Sequence, residues 1–123
     1  MAKEKHDTGT VTFEATEAIP TGSLVKITSA GKVSIAAVGE EPIGTAAEKA
    51  YASGQRIGVD LFSKPGTMIG IAAGSFAAGA VLYGRNDGEV DDTNADSALR
   101  VGIAKEAASA DGDLVEFIHD KGA

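Results

Sequence analysis

The chain has no cysteine and no tryptophan, and only two histidines. Without cysteine there is no disulfide scaffold, no cysteine-based zinc site and no thiol nucleophile. Aromatic residues are 5% of the composition against 43% hydrophobic, so a core has to be assembled from Val, Ile, Leu and Ala. Cations are scarce: 11 Lys and Arg face 18 Asp and Glu, a net charge of −7. A duplex nucleic-acid binder draws its affinity from Lys and Arg that neutralise phosphates, so no nucleic-acid partner is expected. No apolar run approaches the roughly 20 residues that span a bilayer, and no membrane partner is expected either. The opening MAKEKHDTGT carries charge with no apolar stretch behind it. No secretory signal is read there, and synthesis in a cytoplasm is expected.

What is present suits a modest soluble domain. At 123 residues the chain is long enough for one core without covalent staples. Residues 1–8 are polar, mixed in charge and without apolar periodicity, which predicts an extended arm. From Gly9 onward the pattern has period two. Val11, Phe13 and Ala15 alternate with Thr10, Thr12, Glu14 and Thr16, as a half-buried strand does. Turns at Pro20-Thr21-Gly22 and Ser29-Ala30-Gly31 bound a second strand carrying Val25 and Ile27. Further strands are expected over Lys32–Ala37, Ile43–Ala47 and Gln55–Phe62, the last with Ile57, Val59 and Leu61 on one face. Thr45–Gly54 contains helix formers, but its length favours a strand end and a connector with at most one helical turn.

After the turn Ser63-Lys64-Pro65-Gly66 the pattern begins again. GTVTFEATEAIPTG, from Gly9 to Gly22, returns as GTMIGIAAGSFAAG, from Gly66 to Gly79. An offset of about 57 positions aligns Gly31 with Gly88 and Val33 with Val90. One inserted residue near Asp92–Leu99 then aligns Gly44 with Gly102, Glu48 with Glu106 and Gly54 with Gly112. The apolar positions follow, Val25 with Leu82, Ile57 with Val115 and Val59 with Phe117. Turn glycines and strand apolar residues answer to different constraints, so a shared offset for both marks a duplication. The expected fold is all-β, a compact barrel-like or sandwich domain of two pseudo-symmetric repeats, about 9–65 and 66–120, behind the 1–8 arm. Each repeat buries too little area to stand alone, so the two should pack about a pseudo-twofold. Met68–Ala73 is apolar on both faces, which predicts that the second copy is the more central one and that the first strand of the chain is more peripheral, at an edge.

Reactive constellations are few. His6 sits on the polar arm. His119 takes the place of Leu61 in the repeat and should be a hydrogen-bonded structural histidine facing inward. The run NDGEVDDTNAD, Asn86–Asp96, collects Asp87, Glu89, Asp91, Asp92 and Asp96 but has Asp92 where a calcium loop of the EF-hand type wants glycine. A solvated acidic loop with a hairpin turn at Asn86-Asp87-Gly88 is the expected reading. Lys64, at the junction of the repeats, stands where a biotinyl or lipoyl carrier domain presents its modified lysine. It lacks the Met or Asp neighbours of such sites, so a carrier or small-ligand β domain is the alternative rather than the first reading. No catalytic residue, metal or cofactor is expected.

The segment IGTAAEKAYASGQRIGVDLFSKPGTM and its echo VGIAKEAASADGDLVEFIH resemble the capsid cement or head-decoration proteins of tailed bacteriophages, the lambda-type decoration protein among them. The resemblance rests on turn and packing motifs from about Gly9 to His119, and the duplication and longer body depart from the lambda-type pattern. It implies a structural virion protein on the outer surface of an icosahedral head that clamps neighbouring major capsid subunits, usually as a homotrimer. In this group the N-terminal arm commonly adds to a strand of the capsid protein. Here that role would fall on Ala2, Lys3, Glu4, Lys5, His6, Asp7 and Thr8, leading into Thr10, Thr12 and Glu14 of the first strand. An accessory β domain of a phage tail component is a further alternative.

Overall fold

The computed structural model describes residues 9–63, 66–95 and 98–119. Ten strands follow one another: β1 (Thr10–Glu14), β2 (Leu24–Ile27), β3 (Val33–Ile35), β4 (Gly44–Ala46), β5 (Arg56–Leu61), β6 (Thr67–Ile71), β7 (Val81–Gly84), β8 (Val90–Asp91), β9 (Arg100–Ala104) and β10 (Leu114–His119). They form two five-stranded antiparallel sheets in a sandwich-like all-β domain. One has the order β1-β5-β4-β2-β3 and the other β6-β10-β9-β7-β8. Adding five to each strand number of the first sheet gives the second. The duplication is therefore one of topology as well as of sequence.

The register repeats residue by residue. Val11 faces Val59 as Met68 faces Phe117, and Gly44 faces Leu61 as Gly102 faces His119. Each sheet curls until the end of its first strand meets its last, through parallel bridges Ala15–Val33 and Ala72–Val90. The repeated glycines have repeated reasons. A Cβ on Gly44 would stand 2.0 Å from the Asp60 carbonyl oxygen, and one on Gly102 would stand 2.2 Å from that of Ile118. The repeated glutamates are strand clamps, since Glu48 accepts the Gly58 amide and Glu106 accepts the Glu116 amide, both at 2.7 Å. Thr45–Gly54 becomes β4 and a turned connector with no helix, held by the bridge between Ile19 and Ala50.

Each half has its own core. Ala15, Ile19, Val25, Val33, Ala46, Ala50, Ile57 and Val59 cluster in the first. Their counterparts Ala72, Phe76, Leu82, Val90, Ala104, Ala108, Val115 and Phe117 cluster in the second, where Leu24 and Ala36 of the first half join them. The aromatic ring changes strand between halves. In the first, Phe13 on β1 lies opposite Ile57. In the second, Gly70 takes the place of Phe13, and a Cβ there would stand 3.0 Å from the ring of Phe117 on β10.

The place of β6 and the joining of the halves both bear on the pseudo-twofold expected of the repeats, and that expectation requires correction. β6 is an edge strand like β1, since its neighbour in the sheet is β10 alone. Its apolar character reflects burial of Met68 and Ile71 on opposite faces, not a central place. The halves are also not joined about a twofold. Gly22 is buried, and a Cβ on it would stand 3.4 Å from Ile71 and 3.5 Å from the Ile69 carbonyl oxygen. Its counterpart Gly79 is exposed, with no heavy atom of the described residues within 4 Å of the same position. A twofold would have covered both. The contact is head to tail: the β2–β4 side of the first sheet meets β6 and the turn Asn86–Gly88 of the second, where the Gly88 amide donates to Ala36 at 3.0 Å.

Candidate interaction surface

β1 is the part of the expected site that the structure describes. Its alternation packs Phe13 against the first core, with Val11 half-buried opposite Val59, and turns Thr10, Thr12 and Glu14 to the outer side. Thr10 donates to the Asp60 carboxylate at 2.7 Å, Thr12 is exposed opposite Gly58, and Glu14 pairs with Lys32 at 3.0 Å. Along one side β1 is matched to β5 from end to end. On its other side the pairing among the described residues begins with the Ala15–Val33 bridge, beyond the strand. Thr10–Glu14 is thus the edge strand of its sheet. Ala2, Lys3, Glu4, Lys5, His6, Asp7 and Thr8 lie outside the described residues, and so does Lys64.

The second sheet carries a surface that the sequence reading passed over. Ile69, Leu114 and Ile118 are 43%, 59% and 48% exposed on the outer face of β6 and β10. Ile118 faces Ile103 across β10 and β9, and Ile103 faces Val81 across β9 and β7. The first-half residues at these places are Thr12, Arg56, Asp60, Thr45 and Leu24. The first three of them are polar where open to water, while Thr45 and Leu24 are buried at the junction. Position-by-position comparison of the repeats contained this signal, since a Thr/Arg/Asp face had become an Ile/Leu/Ile face.

Within that apolar face sits an ion pair. Lys105 and Glu116 meet at 2.9 Å, and Thr67 also donates to Glu116. The Thr67 hydroxyl and then Lys105 hold the Glu116 carboxyl below its usual range, and Glu116 raises Lys105 in turn. The face is thus apolar with its charges internally matched.

The remaining candidates separate. Asn86–Gly88 does form the β7–β8 hairpin turn, but it also packs on the first half. Asp91 accepts the Asp92 amide at 2.8 Å, and no group of three or more potential metal ligands occurs among the described residues. Burial, followed by the nearby Asp111 and Asp87, raises Glu89. His119 is half-buried, with its ring centroid 6.1 Å from that of Phe62. Its Nε2 has no hydrogen-bond partner among the described residues, so packing takes the place of the expected hydrogen bond.

Two like five-stranded sheets, one with an exposed apolar outer face, define a duplicated all-β domain. The comparisons give the family. The model of the phage cement protein family matches residues 3–119, and the chain belongs to that family. It is a structural protein of the phage head, and its place is the virion. The structure also matches that of the N base of head fiber gp8.5 in bacteriophage phi29, with a TM-score of 0.72 and 23% identity over 90% of this chain and 92% of that one. At that identity the likeness is one of fold. No curated protein matches the sequence.

Proposed function

We propose that the protein coats the outer surface of an icosahedral phage head and ties neighbouring major capsid subunits together. The observation that carries this reading is the place of β1 at the edge of its sheet, directly after the polar residues 1–8. A chain segment that adds to a sheet edge gains main-chain hydrogen bonds without needing a preformed pocket. Residues 1–8 of one molecule reach a capsid-protein strand, while Thr10, Thr12 and Glu14 hold the base of that segment in a fixed sheet. Assembly as a homotrimer multiplies weak contacts per subunit through effective concentration. An acidic exterior, with net charge −7, keeps a dense surface lattice soluble.

Co-sedimentation with purified, undecorated, expanded heads tests this. The full chain binds saturably, and a chain lacking Met1–Thr8 binds at least about tenfold more weakly with its fold retained. Equal binding by the two chains contradicts the role of residues 1–8.

A further inference from the structure

The junction between the halves is a one-way contact, and the repeat places the counterparts of its two surfaces elsewhere on the chain. Leu24 points outward from its own sheet and enters the core of the second half, beside Gly84. Its counterpart Val81 is only half-buried and stands in a row with Ile103 and Ile118. The counterpart of Gly84 is Ile27, which is 51% exposed at the equivalent end of the first sheet. The chain thus carries an apolar sheet face on one side and the exposed Ile27 on the other. These are the counterparts of the two surfaces joined at the internal junction, with Ile27 and the shorter Val81 standing where Gly84 and Leu24 meet within the chain.

We infer that the chain self-associates head to tail, the outer face of the second sheet of one molecule receiving the Ile27 end of the first sheet of the next. The continuity with the internal junction points to a second copy as the occupant. A face that packed on itself would leave Ile27 in water and would bring two Lys105–Glu116 pairs together. In the head-to-tail arrangement Val81, Ile103 and Ile118 are covered as Leu24 and Thr45 are covered within the chain. Contacts of this heterologous kind close into rings when the rotation permits. The inference deepens the proposed decoration role by locating the oligomer contact, and it is tested in solution without heads, so its failure and the failure of head binding are read separately.

The repeat itself supplies variants compatible with the fold. Ile118→Asp and Leu114→Arg install on the second sheet the residues that stand at those places in the first, Asp60 and Arg56. Ile27→Lys alters the exposed strand end. Sedimentation of the wild type over a concentration series to the millimolar range is expected to show reversible association. The Ile118→Asp/Leu114→Arg chain and the Ile27→Lys chain each weaken it by at least about tenfold. An equimolar mixture of the two regains association, because each contributes the surface that the other has lost. A wild type that stays monomeric, or variants that associate as the wild type does, would overturn the inference. So would a mixture that stays monomeric, since neither variant would then supply the surface that the other has lost. If the double variant associates normally but no longer binds heads, the face belongs to the capsid protein and the inference is wrong.

Discussion

Leu24 Cδ1 lies 3.1 Å from the place where a Cβ on Gly84 would stand. One residue from each half thus fixes how closely the two sheets approach, and the fit consumes nearly all the room. Leu24 belongs by sequence to the first sheet and by packing to the core of the second.

Shortening that side chain therefore weakens the second half. Leu24→Ala is expected to cost about 2–4 kcal/mol, the range for a buried leucine that leaves a cavity. Gly84→Ile, which copies Ile27 from the first half, overpacks the same contact and costs about 1–3 kcal/mol. Urea unfolding measures both. Val81→Ala, at the half-buried counterpart of Leu24, should cost clearly less in dilute protein. Equal losses at Leu24 and Val81 would mean that the junction is not one-way.

The exchanged aromatic allows a test of the repeat itself. Phe117→Val removes a fully buried ring and is expected to cost about 2–4 kcal/mol. Gly70→Phe alone collides with Phe117 and is also destabilising. Combined, the two reproduce the Phe13 and Val59 arrangement of the first half, so the double variant should be more stable than the sum of the single losses. A double-mutant cycle with no coupling, or with coupling of the opposite sign, would count against equivalent cores.

Protonation acts through a few surface carboxylates. Lys26 and the Ala37 amide hold Glu40 below its usual range, and the Ser109 amide, the Ser109 hydroxyl and the Ala110 amide do so for Asp113. Thr67 and Lys105 do the same for Glu116. A carboxyl depressed on folding stabilises the fold above its unfolded pKa, and that stability is lost as pH falls through the folded one. Glu89 is raised and has the opposite sign, relieving a small penalty as it protonates. Lys105 is raised, so its share is present below the unfolded lysine pKa and disappears as pH rises through the folded one. Thermal melts should therefore be flat near neutrality and fall as pH drops through the carboxylate range and below. In Glu116→Gln the acid slope becomes shallower, and the alkaline loss due to Lys105 shrinks. An unchanged profile in that variant would remove Glu116 from the account.

Fold class, the repeat and the positions of the first-half strands were largely legible in the sequence, because turns and core positions leave local marks. Gly44 and Gly102 recur since each backs onto a neighbouring carbonyl, and Glu48 and Glu106 recur since each holds a strand amide. Such constraints act within one half, so an internal alignment recovers them. The relation between the halves leaves no such mark. Gly22 and Gly79 are the same letter in the same turn, yet one is packed against β6 and the other faces open space. The position of β6 at an edge was hidden for a related reason. Period-two patterning shows which faces a strand buries, not how many neighbours it has. On the candidate surface, Thr10, Thr12 and Glu14 fall together on one side of an edge strand, as their alternation predicts. The Ile69, Leu114 and Ile118 face was visible only as a set of exchanges between the repeats, since each residue alone reads as core.

The central claim, that this protein binds the outside of a phage head, is tested most directly by imaging expanded, undecorated heads mixed with it by electron cryomicroscopy. The account predicts density for the two-sheet domain at regular sites on the outer surface, with an additional strand running beside β1. Bare heads in the presence of saturating protein would contradict it.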